Sequence, residues 1–361
     1  MTDPMASHRK ALSESIDALL NAFRDTPTHG LGAYLRVQAG LAALVALEDA
    51  CLRPDEDPYP RLLGIFAQLS QLGASLAPVA PHLVDSSGSG AYAGGAEEHT
   101  AELFQTAWTT YDDATYDHSV ALMEARLRRS GFDGRFFLGK SCFDGGCGTG
   151  RFAIAMAKAG AGKVVAVDIG GESLAYLART ISRYGLRTIE TVRQDVTDLA
   201  SFPSDAFDFV ASHGVLHHTP EPDRGIREHF RITRPGGTFW LYLYGAGGFY
   251  WDAYDQLRPL VSDLAPRTIR EILTRFGVRK GLIYTFLDNL MAPRVYYRLA
   301  DVIELLRPLG EFDYVMARGS SPIDDTGKLL ATHWGRDIFG PDGEIRLVIT
   351  KKTRSAGVDA R

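Results

Sequence analysis

Cysteine is scarce, with only Cys51, Cys142 and Cys147 in 361 residues. The number is odd and the spacing is not that of a metal-binding pair. A disulfide scaffold and a metal site are therefore not expected, and a reducing cytoplasm is. An excess of positive charge is also lacking: 39 Lys and Arg stand against 44 Asp and Glu, a formal charge of −5. No general nucleic-acid surface is expected from that balance. No apolar run is expected to reach the roughly 20 residues that cross a bilayer. Met1 to Lys10 is polar and lacks the apolar centre of a signal peptide. The expectation is a soluble cytoplasmic protein that partners neither membrane nor nucleic acid.

What is present gathers at one corner. An apolar run ends at Asp144 and gives way to Gly145-Gly146-Cys147-Gly148-Thr149-Gly150; a second run, Val165-Ala166-Val167, ends at Asp168. Parallel sheets bind ligands at the carboxyl ends of their strands, where a helix begins with unpaired amides. A side chain at Gly146, Gly148 or Gly150 would block a ligand from the backbone, and glycine also permits positive φ. An acid about twenty residues on, here Asp168, is placed to accept from both ribose hydroxyls. The dinucleotide fingerprint is broken, because Arg151 stands where its third glycine belongs, and no Gly-Lys-Ser/Thr follows to cradle phosphates. Asp144 before the glycines repels a phosphate but suits an ammonium, directly or through water. A nucleoside with a cationic tail fits this pattern.

With these residues on one strand-turn-helix pattern, the chain resembles the class I S-adenosylmethionine-dependent methyltransferases from roughly Lys140 to Tyr244. Asp195-Val196, after the run Ile189 to Val192, resembles the family's adenine-reading acid and neighbouring amide. Phe207 to His218 looks like the fourth strand and the loop beneath the methionine moiety, and Arg234 to Leu241 like the turn into the fifth strand. The resemblance implies S-adenosyl-L-methionine as cofactor, with Asp144, Gly145, Gly146, Gly148, Gly150, Asp168, Ile169, Asp195 and Val196 around it. It also implies a Rossmann-like α/β fold: a seven-stranded, mostly parallel sheet with helices on both faces and the last strand added antiparallel as a hairpin. Plain helix capping is the competing reading of Asp168, before a helix announced by Ser173, Leu174 and Leu177, and of Asp195 before Thr197. Capping alone does not account for the spacing among all the segments.

At 361 residues the chain exceeds one such sheet. Residues 1–85 read as an N-terminal helical domain, with apolar faces on Leu12, Ile16, Leu19 and Phe23, on Leu41, Leu44 and Leu47, and on Leu62, Ile65, Phe66 and Leu69. The Ser- and Gly-rich 86–96 reads as a linker, 97–352 as the catalytic domain, and 353–361 as a flexible tail. A second insertion, about 245–297, follows the fifth strand and carries Trp251, Tyr254 and Asn289. Leaving from the carboxyl edge, it is expected to cap the active site, exclude water and shape an acceptor pocket. Asp301 to Leu309 is expected to be a helix, Phe312 to Ala317 and Glu344 to Thr350 strands, and Gly319 to Asp342 a long loop.

Displacement at a sulfonium methyl needs alignment and dryness more than acid–base help, and a base only when the acceptor arrives protonated. His217 and then His213, after the fourth strand, are the candidate bases; an ordinary loop motif is the alternative. His217 and His218, being adjacent, are expected to diverge, and with no third ligand they hold no metal. Tyr111 and Tyr116, before the sheet, are candidates to touch the reacting atoms, and His118, Tyr244, Trp251 and Asn289 the acceptor. Three functions fit: a small-molecule methyltransferase of specialised metabolism; a cyclase resembling azetidine-2-carboxylate synthases that releases methylthioadenosine; and a non-catalytic binding protein. The helical extension suits a homodimer interface as well as a pocket cover.

Overall fold

The computed structural model describes residues 4–53, 56–76, 103–104, 111–317 and 326–353. The expected linker at 86–96, Trp108 and the tail after 353 lie outside these residues. The chain divides into a sheet unit, Trp108–Ala246, Pro293–Thr326 and Glu344–Arg361, and a helical unit, Met1–Ala107, Gly247–Ala292 and Gly327–Gly343.

The helical unit opens with α1 (Pro4–Phe23), α2 (Gly30–Leu52) and α3 (Pro58–Leu76). Proline begins α3 because a first-turn residue needs no amide donor. The expected faces are inside: Leu12, Ile16, Leu19, Leu44, Leu47, Leu62 and Phe66 are buried. One expectation is corrected, because Gly30–Ala50 is a 21-residue stretch long and apolar enough to cross a membrane; 56% of that window is buried within the protein. A core helix satisfies the same length and composition.

In the sheet unit, α4 (Asp113–Arg129) and the short α5 (Gly134–Phe137) precede β1 (Ser141–Gly145), α6 (Arg151–Lys158), β2 (Lys163–Asp168), α7 (Gly171–Tyr184) and β3 (Ile189–Arg193). There follow β4 (Phe207–His213), α8 (Pro222–Ile232) and β5 (Thr233–Leu243). The helical unit then adds α9 (Phe249–Leu257), α10 (Pro266–Arg275) and α11 (Lys280–Met291). The chain re-enters the sheet unit for α12 (Leu299–Leu306) and β6 (Phe312–Met316), forms α13 (Thr326–Ala331) and α14 (Gly335–Phe339), and ends the sheet with β7 (Ile345–Lys351).

The strand order is β3-β2-β1-β4-β5-β7-β6. Neighbours are parallel through β5, and β7 runs antiparallel to both β5 and β6. Successive strand residues face opposite sides, so Cys142, Val164 and Ala166 pack with α4, α6 and α7, while Phe143, Val165 and Val167 pack with α8 and α12. Burial on both faces explains why β2 reads as an unbroken apolar run. The order reverses between β1 and β4, and in open sheets of this kind ligands bind outside the carboxyl ends of the strands at such a switch point.

Three boundaries differ from expectation. Arg234 to Gly237 is an irregularity inside β5, the register jumping from Thr233 to Thr238 opposite Phe207 and Phe209. The expected loop Gly319 to Asp342 contains α13 and α14, of six and five residues, too short for a helical period to declare. The insertion groups with the N-terminal helices rather than with the catalytic sheet.

Candidate cofactor and acceptor site

Asp144, next to the end of β1, is 2% exposed, and its Oδ2 accepts the Ala153 amide in the first turn of α6 at 2.9 Å. Burial pushes its carboxyl up to about 7, against the opposing pull of that amide. The amides of Gly146 and Cys147 both donate to the Val167 carbonyl at 2.8 and 2.9 Å, which fastens the turn to β2. At the tip of β2, Asp168 bridges two turns, with Oδ2 accepting the Gly148 amide and Oδ1 the Gly170 amide, each at 2.7 Å. Burial raises its pKa and both amides oppose the rise. Ile169 beside it is 48% exposed, an apolar surface at the rim.

The glycines are required for different reasons. A Cβ on Gly146 would strike Val215, and one on Gly150 would strike Leu177, so packing forbids side chains there. A Cβ on Gly148, where φ is +53°, meets nothing within 4 Å. The expectation that all three keep space clear for a ligand is thereby corrected to Gly148 alone. Gly145, also expected beside the cofactor, has a packing requirement of its own: a Cβ there would overlap the His229 ring. That buried histidine on α8, whose Nδ1 donates to the Gly225 carbonyl at 2.7 Å, has a pKa lowered to about 4 by burial. No sequence signal marked it.

Asp195 is exposed and accepts from the Thr197 amide and hydroxyl, each at 2.8 Å, as the capping alternative required. Val196 is buried in the core beneath β2. Asp168 and Asp195 therefore follow the carboxyl ends of neighbouring parallel strands, β2 and β3.

Beyond the switch point lies a cluster of rings. His213 ends β4; its Nδ1 accepts the Trp240 indole N–H at 3.0 Å, and its Nε2 stands 3.2 Å from Arg126 Nη1. An indole only donates, so the Nδ1 lone pair is taken. Leu216–His218 is one turn of 3-10 helix, and it corrects the expected divergence: the His217 and His218 rings lie 4.1 Å apart, and both adjoin Tyr244, at 3.9 and 5.4 Å. His217 is fully buried, and burial drives its pKa well below the usual value. His218 Nδ1 donates to the Pro293 carbonyl at 2.7 Å, which leaves the lone pair of the neutral ring on Nε2. Sequence reading passed over Arg346, 5% exposed, which pairs with Glu344 at 3.0 Å and lies 4.0 Å over the Tyr242 ring.

The other predicted residues are distributed more widely. The Tyr116 ring is wholly buried and its hydroxyl donates to the Thr149 carbonyl at 2.6 Å, a supporting contact where one to the reacting atoms was expected. Tyr111 is half-buried, and His118 is exposed on α4. Trp251 and Asn289 belong to the helical unit and are buried in it, Trp251 at 4.9 Å from the Tyr250 ring and Asn289 Nδ2 at 3.4 Å from the Tyr250 hydroxyl.

Residues 143–241 match the family model described as a methyltransferase domain. Among curated proteins, the chain is 37% identical over 103 residues to a ubiquinone biosynthesis O-methyltransferase of Xanthomonas campestris pv. campestris, covering 28% of this chain and 42% of that one. It is 26% identical over 161 residues to an arsenite methyltransferase of Aquipseudomonas alcaligenes, covering 37% and 46%. The chain thus spans less than half the length of these relatives. A solved S-adenosyl-L-methionine-dependent methyltransferase from Methanococcus maripaludis aligns over 75% of this chain and all of its own, at 16% identity and a TM-score of 0.40.

Proposed function

We propose that the chain, whose residues 143–241 match a methyltransferase domain, is a class I S-adenosylmethionine-dependent methyltransferase that transfers a methyl group from S-adenosylmethionine to a small-molecule acceptor of specialised metabolism. The observation that carries this reading is the row of groups along one carboxyl edge: Asp144 and the open side of Gly148, then Asp168, then Asp195 with the Val196 amide. The open space at Gly148 and the half-buried Asp168 carboxylate fit a ribose and an amino-acid tail. Asp168 would hold the ribose hydroxyls, Asp195 and Val196 the adenine, and Asp144, its ionised form favoured by the approaching positive charge, the ammonium.

The cofactor, when bound, supplies a methyl carbon on a sulfonium, already a good leaving group. The chain's own contribution is alignment and a dry, weakly basic wall. The carbon–sulfur bond breaks as the acceptor bond forms, and a protonated acceptor passes its proton to a neutral imidazole. His217 is kept neutral by burial and faces Tyr244 and His218; with the His213 Nδ1 lone pair taken up by Trp240, it remains the first choice for that proton.

The test is to incubate the protein with S-adenosylmethionine, alone and with panels of phenols, amines and carboxylic acids, and to follow the nucleosides by mass. Acceptor-dependent S-adenosylhomocysteine is expected. Acceptor-independent methylthioadenosine above the spontaneous rate would replace methyl transfer with cyclisation, and no turnover with measurable binding would leave a binding protein.

A further inference from the structure

Two tyrosines join three parts of the sheet unit at the glycine turn. Tyr116, in the first turn of α4, sends its hydroxyl to the Thr149 carbonyl, which stands between Gly148 and Gly150. Tyr176, on the helix after Asp168, sends its hydroxyl to the Tyr111 carbonyl at 3.1 Å, where the chain enters α4. Their rings are 5.3 Å apart. The next residue of that helix, Leu177, fills the space that a side chain on Gly150 would occupy. At the start of α4 the Asp112 side chain accepts the Thr115 amide at 2.8 Å, fixing the angle at which Tyr111 arrives.

We propose that Tyr116 and Tyr176 are positioning residues that act as one latch, tying the shape of the glycine turn to docking of residues 111–118 at the start of α4, so that cofactor binding and ordering of those residues favour each other. The inference rests on reading the turn as the nucleoside site. The Thr149 carbonyl belongs to a turn in which Gly146, Gly148 and Gly150 all have positive φ. Its orientation therefore depends on the contact that Tyr116 makes across from α4. Without either hydroxyl, the turn and the start of α4 can reorient independently, and a ligand must order each separately.

The control lies on the same two helices. Tyr184 donates to Asp117 at 2.5 Å, joining α7 to α4 away from the turn. Calorimetric titration with S-adenosylhomocysteine is expected to show Tyr116→Phe and Tyr176→Phe each weakening binding about five- to tenfold, the effect of one lost hydrogen bond. Tyr184→Phe is expected to lower the melting temperature without changing that affinity. The double variant should lose less than the product of the single losses, because either change opens the latch. In hydrogen exchange, the ligand should slow amides 111–118 in the wild type and not in the two latch variants. Tyr176 lies at the edge of the core, so its variant keeps the test decisive if Tyr116→Phe unfolds. Wild-type affinity in Tyr176→Phe, independent losses in the double variant, or an equal loss in Tyr184→Phe would overturn the latch. A wild type that fails to bind would remove the nucleoside reading itself, and the latch with it.

Discussion

Asp144 carries a proton near neutrality that the unfolded chain gives up near pH 4, because burial pushes its carboxyl from 3.8 up to about 7. The folded state thus binds more protons than the unfolded state between those values, and its stability falls as pH rises through that window. Asp144→Asn keeps an acceptor for the Ala153 amide and removes the titration. Urea melts should show the variant gaining on the wild type from pH 4 to pH 7, by up to about 4 kcal/mol, and no further above pH 7. A constant difference would contradict the burial of that charge. The glycines allow a paired comparison. Gly148→Ala should remain folded, at a cost of about 1–2 kcal/mol for its left-handed backbone, and lose cofactor affinity. Gly150→Ala, driving into Leu177, should lower the melting temperature much further, and reversed ranks would refute the division of labour. The sequence pattern marked all of these glycines alike because their spacing is uniform, whereas the neighbours that distinguish them, Val215, Leu177 and His229, are distant in the chain.

Among the elements, the returning segment at 293–297 has the clearest local role. The Val295 amide donates to the His217 carbonyl at 2.8 Å, the Tyr297 amide to the Tyr244 carbonyl at 3.0 Å, and the Ala246 amide to the Tyr297 carbonyl at 2.8 Å. With His218 on the Pro293 carbonyl, this segment fixes the 3-10 turn against the end of β5. His218→Ala should cost about 1–3 kcal/mol through the stranded Pro293 carbonyl, read as a lower melting temperature. His218→Asn, which keeps a donor, should recover part of the loss; no difference between the two would deny the hydrogen bond its role. Strands β1 and β2 were legible because parallel strands covered on both faces read as apolar runs ending in acids and glycines, and β4 because its segment resembles the family's fourth strand. The shared surface of His217, His218 and Tyr244 was not, since a single turn of 3-10 helix has no period to detect and adjacent residues normally diverge.

At the scale of the molecule, the insertion and the N-terminal helices form one unit, although more than 130 residues of chain separate them. Within that unit Glu48 accepts the Tyr250 and Tyr254 hydroxyls at 2.5 and 3.1 Å, and the Gly40 backbone lies against the Phe286 ring. Each helix advertises an apolar face, but nothing local names its partner, which is why the sequence suggested a separate N-terminal domain and a separate cap. Deleting residues 1–85 should therefore expose the buried faces of α9 and α11 and yield aggregated protein on gel filtration. A stable monomer of the shortened chain would contradict the shared core. The central claim is that strand-tip carboxylates hold an adenosyl ligand, and it is tested most directly by calorimetric titration of S-adenosylhomocysteine into the wild type and into Asp168→Ala. The account predicts saturable one-site binding that the substitution weakens by about 1–3 kcal/mol in a folded protein; equal affinity in both proteins would contradict it.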